Sequence, residues 1–479
     1  MPSERPAAPY VRRPNLVFIL ADQLGYTRCG YAGDEKARTP NIDRFAAEGV
    51  NFRQAVASSP VCAAFRASLF TGKYTTSTGM VINELRLGTD HECLGHVLTR
   101  GGCRTGYVGK WHLYANEMGN HLDPKNSFVP PGPDRLGFDG YWAAYNFHHN
   151  YYGAYYHTDS PEKISYGEGA YEPDAQTDLA IDFIRGAADA DDPFALFVSY
   201  GTPHDPWSPE NVPPEYLEMF RGVEFPHPPN YEPENDPHAD GWGQLSALAR
   251  EHMPNWRRVY HAMTANVDRN FGRLLDEIGA AGLAGATIVV FSSDHGEMFG
   301  AHGRRAKNIF YEEAARIPLL VRFPGRIPAG NVSDACLSTP DIMPTLLSLM
   351  GLPVPRDAEG MDLSHCALGT DGPEPEAAFL QNTGACADWI DGHEWRAMRD
   401  KRYTCAVYRV DGSELLFDNA ADPYQMTNLA ADPAHKAALA RFRAMLAAKM
   451  SSLNDTFEKC TWYRDHWTED RIILRAAKG

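Results

Sequence analysis

The sequence predicts an α/β fold: a large, doubly wound, mostly parallel sheet flanked by helices, followed by a small C-terminal antiparallel sheet-and-helix domain. Two observations lead to this prediction. Short, continuous apolar runs alternate with segments of helical periodicity, as expected for buried strands that are connected by helices. Near residue 370, at GTDGPEPEAA, the composition becomes that of a linker, which divides the chain into predicted domains of residues 1–370 and 371–479.

The first domain contains the strongest patterns. Residues 15–20 are a continuous apolar run, predicted to be a strand that leads into Asp22 and Gln23. A helix is expected to begin within residues 39–43, and residues 260–278 form an amphipathic helix because apolar side chains recur there at helical spacing. Further strands are predicted at residues 193–200, 286–291 and 317–323, and a further helix from Thr339 to a point near Gly351.

The second domain is predicted to be a small sheet with one long helix. Residues 396–416 alternate in short strand-like pieces, residues 418–430 are loop-like, and residues 433–450 form an alanine-rich helix.

Charge and cysteine content exclude several classes of function. The 45 Lys and Arg against 62 Asp and Glu give a net charge of −17, which disfavours nucleic acid and anionic membranes but permits a small anion where cations converge. The nine cysteines form no CxxC pair, so we expect reduced thiols rather than a zinc ribbon or redox motif. The apolar run that begins at Leu16 is too short for a signal peptide or membrane span, so we expect a short polar leader and a cytoplasmic protein.

Polar residues follow three of the predicted strands. Asp22, His204 and Asp294 each lie just past a strand, and the carboxyl ends of parallel strands share one edge of a sheet, where ligands bind. The pairs Asp22-Gln23 and Asp294-His295 offer two carboxylates, an amide oxygen and an imidazole, which suit Ca²⁺, Mg²⁺ or Mn²⁺. Alternatively, these residues cap helices that begin there.

Cys62 begins the segment CAAFRASLFTG. Taken alone, a cysteine before a helix is a small buried hydrophobic residue. The segment, however, resembles the sulfatase signature C-x-P-S-R followed by x-x-L-x-T-G. The similarity extends over most of the chain, through PNLVFILADQLG, TPNIDRFAAEGVNF, TGYVGKWHL, PHDPW, VFSSDHGEMFGAHGRRAKNIFYEE, RIPLLVRFPG and a C-terminal motif over residues 414–429. On these motifs the chain is identified as a member of the formylglycine-dependent sulfatases, within the alkaline phosphatase superfamily.

The resemblance implies a nucleophile and a metal site. Cys62 would be oxidised to formylglycine by a formylglycine-generating enzyme. One hydroxyl of the hydrated aldehyde would attack sulfur, and the other would later expel sulfate. The resemblance also implies one divalent cation, Ca²⁺ before Mn²⁺ or Mg²⁺, with the ligands Asp22, Gln23, Cys62, Asp294 and His295.

The resemblance implies further roles around the sulfate. Arg66 would hold the hydrated aldehyde, Lys110 would bind sulfate oxygens, and His112 would take the proton when the covalent ester collapses. His204 and Lys307 would face the leaving group, with His204 as the acid and Lys307 assisting. The substrate is then a small anionic sulfate ester of an aryl, alkyl or sugar alcohol. The sequence leaves the oligomeric state open and allows a homo-oligomer.

Three departures from the family pattern leave alternatives open. Ala64 replaces the signature's proline, and Phe65 replaces its small polar residue. The Asp-Gln and Asp-His pairs are similar to those of choline sulfatases and phosphonate monoester hydrolases, and Asn83 occupies a place where the latter carry a substrate-contacting asparagine. A phosphonate monoester or phosphodiester hydrolase is therefore one alternative, and a silent anion-binding protein with unmodified Cys62 is another.

One aromatic segment has two interpretations. Residues 142–157, WAAYNFHHNYYGAYYH, are either a buried structural loop or a wall of the substrate pocket, to which His148 and His149 would add polar contacts.

Overall fold

The structure, a computed structural model, describes residues 13–115 and 124–478. The predicted polar leader lies outside these residues. In the described part, the strands are β1 (Asn15–Asp22), β2 (Val50–Phe52), β3 (Arg104–Lys110), β4 (Tyr141–Tyr145), β5 (Tyr155–Tyr156), β6 (Ile164–Ser165), β7 (Phe194–Pro203), β8 (Thr287–Ser293), β9 (Leu319–Arg322), β10 (Asn331–Ser333), β11 (Ala378–Asn382), β12 (Trp395–Arg399), β13 (Tyr403–Tyr408), β14 (Glu414–Asp418), β15 (Thr468–Glu469) and β16 (Ile472–Ile473).

The helices of the described part connect these strands. They are α1 (Pro40–Glu48), α2 (Cys62–Thr71), α3 (Thr75–Thr78), α4 (Leu94–Arg100), α5 (Pro124–Ser127), α6 (Glu172–Ala188), α7 (Pro214–Glu218), α8 (Ala247–Ala280), α9 (Glu312–Ala315), α10 (Thr339–Leu349), α11 (Ser364–Leu368), α12 (Lys436–Ser452) and α13 (Cys460–Trp467). Across the described residues, no helix combines the length and apolar character that a membrane crossing needs.

The large sheet has eight strands in the order β10-β2-β9-β8-β1-β7-β3-β4. Neighbouring strands are parallel except for β9, which is antiparallel to both β8 and β2. The predicted large, mostly parallel sheet is thus confirmed. Because β1 lies between β8 and β7, the carboxyl ends of these three strands meet at one edge.

Helices cover both faces of this sheet because alternate side chains of β1 point in opposite directions. Leu16, Phe18 and Leu20 belong to one apolar cluster, which also contains buried side chains of α2, α4 and α10. Val17 and Ile19 belong to a second cluster, with side chains of α1, α6 and α8. A strand that is buried on both faces reads as an unbroken apolar run, which is why the sequence shows β1 so clearly.

The C-terminal part forms a four-stranded antiparallel sheet in the order β11-β12-β13-β14, with α12 on one face. This confirms the predicted small antiparallel sheet. Its first strand, β11, has no counterpart in the sequence prediction because it is short and follows a proline- and acid-rich stretch. The other face of the small sheet packs against residues 298–315 of the large domain.

One helix boundary differs from the sequence prediction. Helix α8 begins at Ala247 rather than near residue 260. Ser246 caps it by accepting a hydrogen bond from the Ala249 amide, and Pro254, a residue that usually ends a helix, lies inside it. Helix α10 begins at Thr339, as predicted, and is capped by Ser338, because the Ser338 and Asp341 side chains satisfy each other's backbone amides.

Candidate active site

The carboxyl ends of β1 and β8 bring the predicted ligand pairs together. Asp22 is the last residue of β1, and Asp294 directly follows β8. The backbone amide of Gln23 donates to Asp294 Oδ1 at 2.9 Å, and the Gln23 carbonyl oxygen accepts from the Tyr260 hydroxyl at 2.8 Å. These two bonds hold Gln23 in a left-handed conformation with φ of 70°. The edge of the sheet therefore fixes two buried carboxylates side by side.

Cys62 is the first residue of α2 and is 1% exposed. Its sulfur lies 3.2 Å from His295 Nε2, 3.0 Å from Lys307 Nζ and 3.8 Å from Asp22 Oδ1. Burial raises the pKa of the thiol, but Lys110 and Lys307 outweigh burial and hold this pKa well below its ordinary value. The helix N-terminus favours the same negative charge. The surroundings of residue 62 therefore stabilise an anionic or strongly polarised group.

His295 presents one defined nitrogen to this centre. Its Nδ1 lies 3.0 Å from the carbonyl oxygen of Gly296, which can only accept, so Nδ1 carries a proton. The other ring nitrogen, Nε2, faces Cys62 and lies 3.5 Å from Asp294 Oδ1. A ring held in this way by a carbonyl oxygen is typical of a metal-ligating histidine.

Four of the five predicted metal ligands form one cluster. Asp22, Cys62, Asp294 and His295 each place a ligand atom within 4.8 Å of the others, and all four are buried. Gln23 lies at the edge of this cluster: its Oε1 accepts from Lys307 Nζ at 3.3 Å, and its Nε2 donates to Glu297 Oε2 at 2.5 Å. Two carboxylates beside one imidazole suit a hard divalent cation.

Arg66 lies one helical turn beyond Cys62 and is fully buried. Its guanidinium donates to Asp22 Oδ2 at 3.2 Å, to Asp294 Oδ2 at 3.4 Å and to Ser199 Oγ at 2.7 Å. In this arrangement Arg66 bridges the two carboxylates. Its role in holding the hydrated aldehyde at position 62 stays a prediction.

Lys110 and His112 lie beside Asp22 and Cys62 in the cluster. Lys110 ends β3, and its Nζ donates to Asp22 Oδ2 at 2.6 Å. His112 has a φ of 58°, so the chain leaves the extended conformation here, yet the ring still packs at 4.3 Å from the Phe147 ring. Burial and Lys110 lower the pKa of His112 to about 3, against an opposing contribution from the Cys62 sulfur. His112 is therefore neutral at ordinary pH and able to accept a proton.

His204 and Lys307 form the outer part of the site. Lys307 Nζ lies 2.8 Å from His204 Nε2. On its other side, His204 Nδ1 lies 2.9 Å from Asp205 Oδ1 and 3.0 Å from the Asp205 carbonyl oxygen. Burial and Lys307 lower the pKa of His204, but Asp205 and Asp22 outweigh them and raise it to about 9. Lys307 and His204 thus place two nitrogen atoms side by side at the cavity.

Asn83 contacts the protein with both ends of its amide. Its Oδ1 accepts from the Ala63 amide at 3.0 Å, and its Nδ2 lies 3.5 Å from Cys386 Sγ. Asn83 therefore supports the first turn of α2, although it also lines the cavity in front of Cys62.

Part of the aromatic segment of residues 142–157 lines the cavity, and part of it is buried structure. Phe147 and His149 line the cavity, and the His149 ring stacks on His204 at 4.0 Å. His148 is 1% exposed and stacks on Tyr145 at 3.6 Å, so it belongs to the buried interior.

Sequence reasoning missed several residues of the cavity. Asp205 orients His204, and its position directly after His204 was a usable signal. Trp242, Arg305 and Cys386 also line the cavity. Trp242 and Cys386 belong to loops without regular periodicity, and nothing in the local sequence marks them. Arg305 lies within the family motif of residues 290–313, but nothing in that motif singles it out.

Comparison with known proteins identifies relatives over nearly the whole chain. The sulfatase family model matches residues 14–352, and a model of the N-sulphoglucosamine sulphohydrolase C-terminal region matches residues 300–452. An ulvan-active sulfatase of Formosa agariphila is 36% identical over 94% of this chain and 84% of its own length. An N-acetylglucosamine-6-O-sulfatase of Bacteroides thetaiotaomicron is 27% identical over 88% of this chain and 82% of its own.

Solved structures share the fold. A Bacteroides fragilis protein described as the sulfatase YidJ superposes with a TM-score of 0.82 at 30% identity, covering 95% of this chain and 99% of the other. The phosphonate monoester hydrolase of Agrobacterium radiobacter superposes with a TM-score of 0.68 at 24% identity, covering 95% and 98%. At that identity, the second likeness concerns the fold alone.

Proposed function

Because this chain belongs to the sulfatase family and hydrolyses sulfate esters, we propose that it does so with a formylglycine made from Cys62 and with one divalent cation, on a sulfate ester carried by a sugar. The rival function as a phosphonate hydrolase is not favoured, since both family models and the relatives named above are sulfatases. One observation carries the proposal: Cys62 lies at a buried helix N-terminus, between His295 and Lys307.

The donor set fits a divalent cation. Asp22, Asp294, His295 and the oxygen that replaces the sulfur at position 62 would hold it, with the Gln23 amide oxygen beside them. When bound, such a cation polarises the nucleophile and a sulfate oxygen. The Lys110 ammonium bonds to Asp22, and the Arg66 guanidinium bridges Asp22 and Asp294. These two cations would keep the carboxylate ligands ionised and in place.

The protein's own residues supply the proton transfers. His112 is neutral and buried next to position 62, so it would accept the proton when the second hydroxyl of the hydrated aldehyde expels sulfate. Lys110 and Lys307 would bind the sulfate oxygens. His204 would donate a proton to the departing alcohol oxygen while Asp205 fixes its ring.

Two observations support a sugar as the alcohol. The relatives described above are named for ulvan and for N-acetylglucosamine. The cavity combines polar groups with the aromatic faces of Phe147 and Trp242, and aromatic faces pack well on sugar rings.

Peptide mass spectrometry tests the nucleophile. Protein coexpressed with a formylglycine-generating enzyme should show a peptide in which residue 62 has lost its thiol sulfur and gained an aldehyde oxygen. The converted fraction should be proportional to turnover of a sugar sulfate. Cys386, whose thiol lines the same cavity, is the internal control and should remain cysteine. Full activity with only unmodified Cys62 present would refute the proposal.

A further inference from the structure

The cavity in front of Cys62 has an outer wall that the reaction does not use. Inside lie the groups that act on the sulfate. The outer wall includes Trp242 and Arg305. Both residues line the same cavity as Cys62, Lys307 and His204, and the alcohol part of the ester must lie in this cavity.

Trp242 is an exposed aromatic platform at this mouth. It is 49% exposed, the highest value among the chain's nine tryptophans. Its indole Nε1 donates to Asp388 Oδ2 at 3.3 Å, which fixes the ring. Leaving half of an indole in water forgoes its burial energy, on the order of 25 cal/mol per Å². A sugar ring stacked on its face would cover that surface.

The loop that carries Trp242 is anchored rather than free. Buried Asp240 accepts from the Gly243 amide at 2.7 Å through Oδ1, and from the Cys386 amide at 2.7 Å through Oδ2. The Gly243 carbonyl oxygen accepts from the Arg305 amide at 2.8 Å. The indole and the guanidinium therefore stand on backbone segments that are bonded to each other.

Arg305 is a cation whose side chain makes no ion pair with any part of the chain that the structure describes. Its neighbour Arg304 is buried and pairs with Asp236 at 2.9 Å, which shows that this loop can pair its arginines. Arg305 instead is half-buried, with its Nε lacking a hydrogen-bond partner. Asp205, whose pKa it helps to lower, is bonded to His204 instead.

We propose that Trp242 and Arg305 form a subsite for a sugar ring that bears a second anionic group, a carboxylate or another sulfate ester, beside the sulfate that is cleaved. The proposal rests on the function proposed above. Trp242 stacks on the ring, and the planar Arg305 guanidinium binds the second anion. Arg305 and Lys307 are two residues apart, so their Cα atoms are at most about 7 Å apart. Their two cationic groups can therefore reach two substituents of one sugar ring.

Kinetics on three matched substrates test the subsite: a neutral hexose monosulfate, the corresponding uronic acid monosulfate and the hexose disulfate. The wild-type enzyme should favour the two doubly charged sugars in kcat/KM by about tenfold or more. The Arg305→Ala variant should bring that ratio close to one, a loss of at least about tenfold that matches one charge-assisted hydrogen bond, and Arg305→Lys should restore part of it. The two charged substrates show which anion is preferred.

Matched variants separate the outcomes. Trp242→Ala should raise KM about tenfold for all three sugars, and Trp242→Phe should restore it. Arg221→Ala, an exposed residue paired with Glu218, should leave the ratio unchanged. Equal rates on neutral and charged sugars, or an unchanged ratio in Arg305→Ala, would overturn the subsite while leaving sugar sulfate hydrolysis intact. Turnover of nitrophenyl sulfate but of no sugar sulfate would overturn the sugar assignment as well.

Discussion

Two adjacent carboxylates, Asp22 and Asp294, have opposite pKa shifts although both are buried. Burial raises the pKa of each. At Asp22 the cations Lys110 and Arg66 outweigh burial and lower the pKa below its ordinary range. At Asp294 burial and the neighbouring Asp22 charge dominate, so its pKa is raised. An added positive charge should therefore stabilise the charged form of Asp294 more than that of Asp22, and of these two predicted ligands we expect Asp294 to be the one whose loss matters more.

The first prediction concerns this carboxylate. The substitution Asp294→Asn keeps the shape but removes the charge that a hard cation requires. We expect loss of the bound cation and a fall of kcat to background, measured by elemental analysis and by turnover of a sugar sulfate. The exposed Asp276→Asn on α8 is the matched control and should retain both. Full metal content and full rate in Asp294→Asn would exclude this residue as a ligand.

The second prediction concerns the proton donor. His204→Ala should slow sugar sulfates by about 10²–10⁴-fold, the usual contribution of a general acid, and nitrophenyl sulfate much less, because a good leaving group needs little protonation. Asp205→Asn should show the same dependence on the leaving group in weaker form, since it disturbs only the orientation of His204. Equal losses on good and poor leaving groups would make His204 a binding residue instead.

At the level of elements, the sequence predicts the framework of the site but not its outer wall. Strands β1 and β8 are fully buried, so their apolar runs and the polar residues that end them are visible in the sequence. Cys62 required the family resemblance, because a buried cysteine in a buried helix has no local signature. Trp242 and Arg305 were not singled out, although Arg305 lies in the family motif of residues 290–313, since their loops are placed at the cavity by long-range bonds of Asp240 and Gly243.

The third prediction concerns the turn after β8. Gly296 packs so closely that an added Cβ would lie 1.9 Å from the Glu313 carbonyl oxygen and 2.9 Å from Gly25 Cα. Gly296→Ala must therefore push apart the turns that carry His295 and Gln23, at a cost of about 1–3 kcal/mol of unfolding free energy. We expect a lower Tm and a weaker affinity for the cation, measured by thermal melts and titration.

Gly285→Ala is the control for this substitution. An added Cβ there meets no heavy atom within 4 Å, and its backbone is not left-handed. Its Tm and cation affinity should equal those of the wild type. If Gly296→Ala had the same Tm and cation affinity as Gly285→Ala, close packing of the two turns would not be what positions the predicted metal ligands.

At the level of the whole molecule, the small sheet completes the large domain rather than standing apart from it. Ala378, Leu380 and Trp395 of the small sheet share one apolar cluster with Ile309 and Phe310 of the loop that carries Lys307. The Cys386 backbone also bonds to Asn83 and Asp240 at the cavity. The position of Lys307 therefore depends on the C-terminal strands, and we expect the two parts to unfold together.

The fourth prediction tests this coupling through one buried ion pair. Arg399 of β12 donates to both carboxylate oxygens of Glu312 in α9, at 2.5 and 2.9 Å. Arg399→Ala removes both short bonds to the buried Glu312 and leaves it with the longer contact to Arg316 at 3.6 Å. This should cost up to about 3–5 kcal/mol of unfolding free energy. Arg402→Ala, three residues away, removes an arginine that is exposed to solvent although its partner Asp418 is buried, and should change the Tm less. Denaturant unfolding should remain a single transition in both variants. Separate transitions would mean that the two sheets are independent.

The same pair fixes the sign of a pH effect. Burial raises the pKa of Glu312, but Arg399 outweighs burial and lowers it below its ordinary 4.5. A group whose pKa is lowered by folding stabilises the protein fully above its unfolded pKa, and that contribution disappears as the pH falls through the folded value. The wild type should therefore lose stability below about pH 4.5 more steeply than Glu312→Gln does, because glutamine does not titrate. Parallel slopes of Tm against pH for the two proteins would show that this pair does not link the sheets electrostatically.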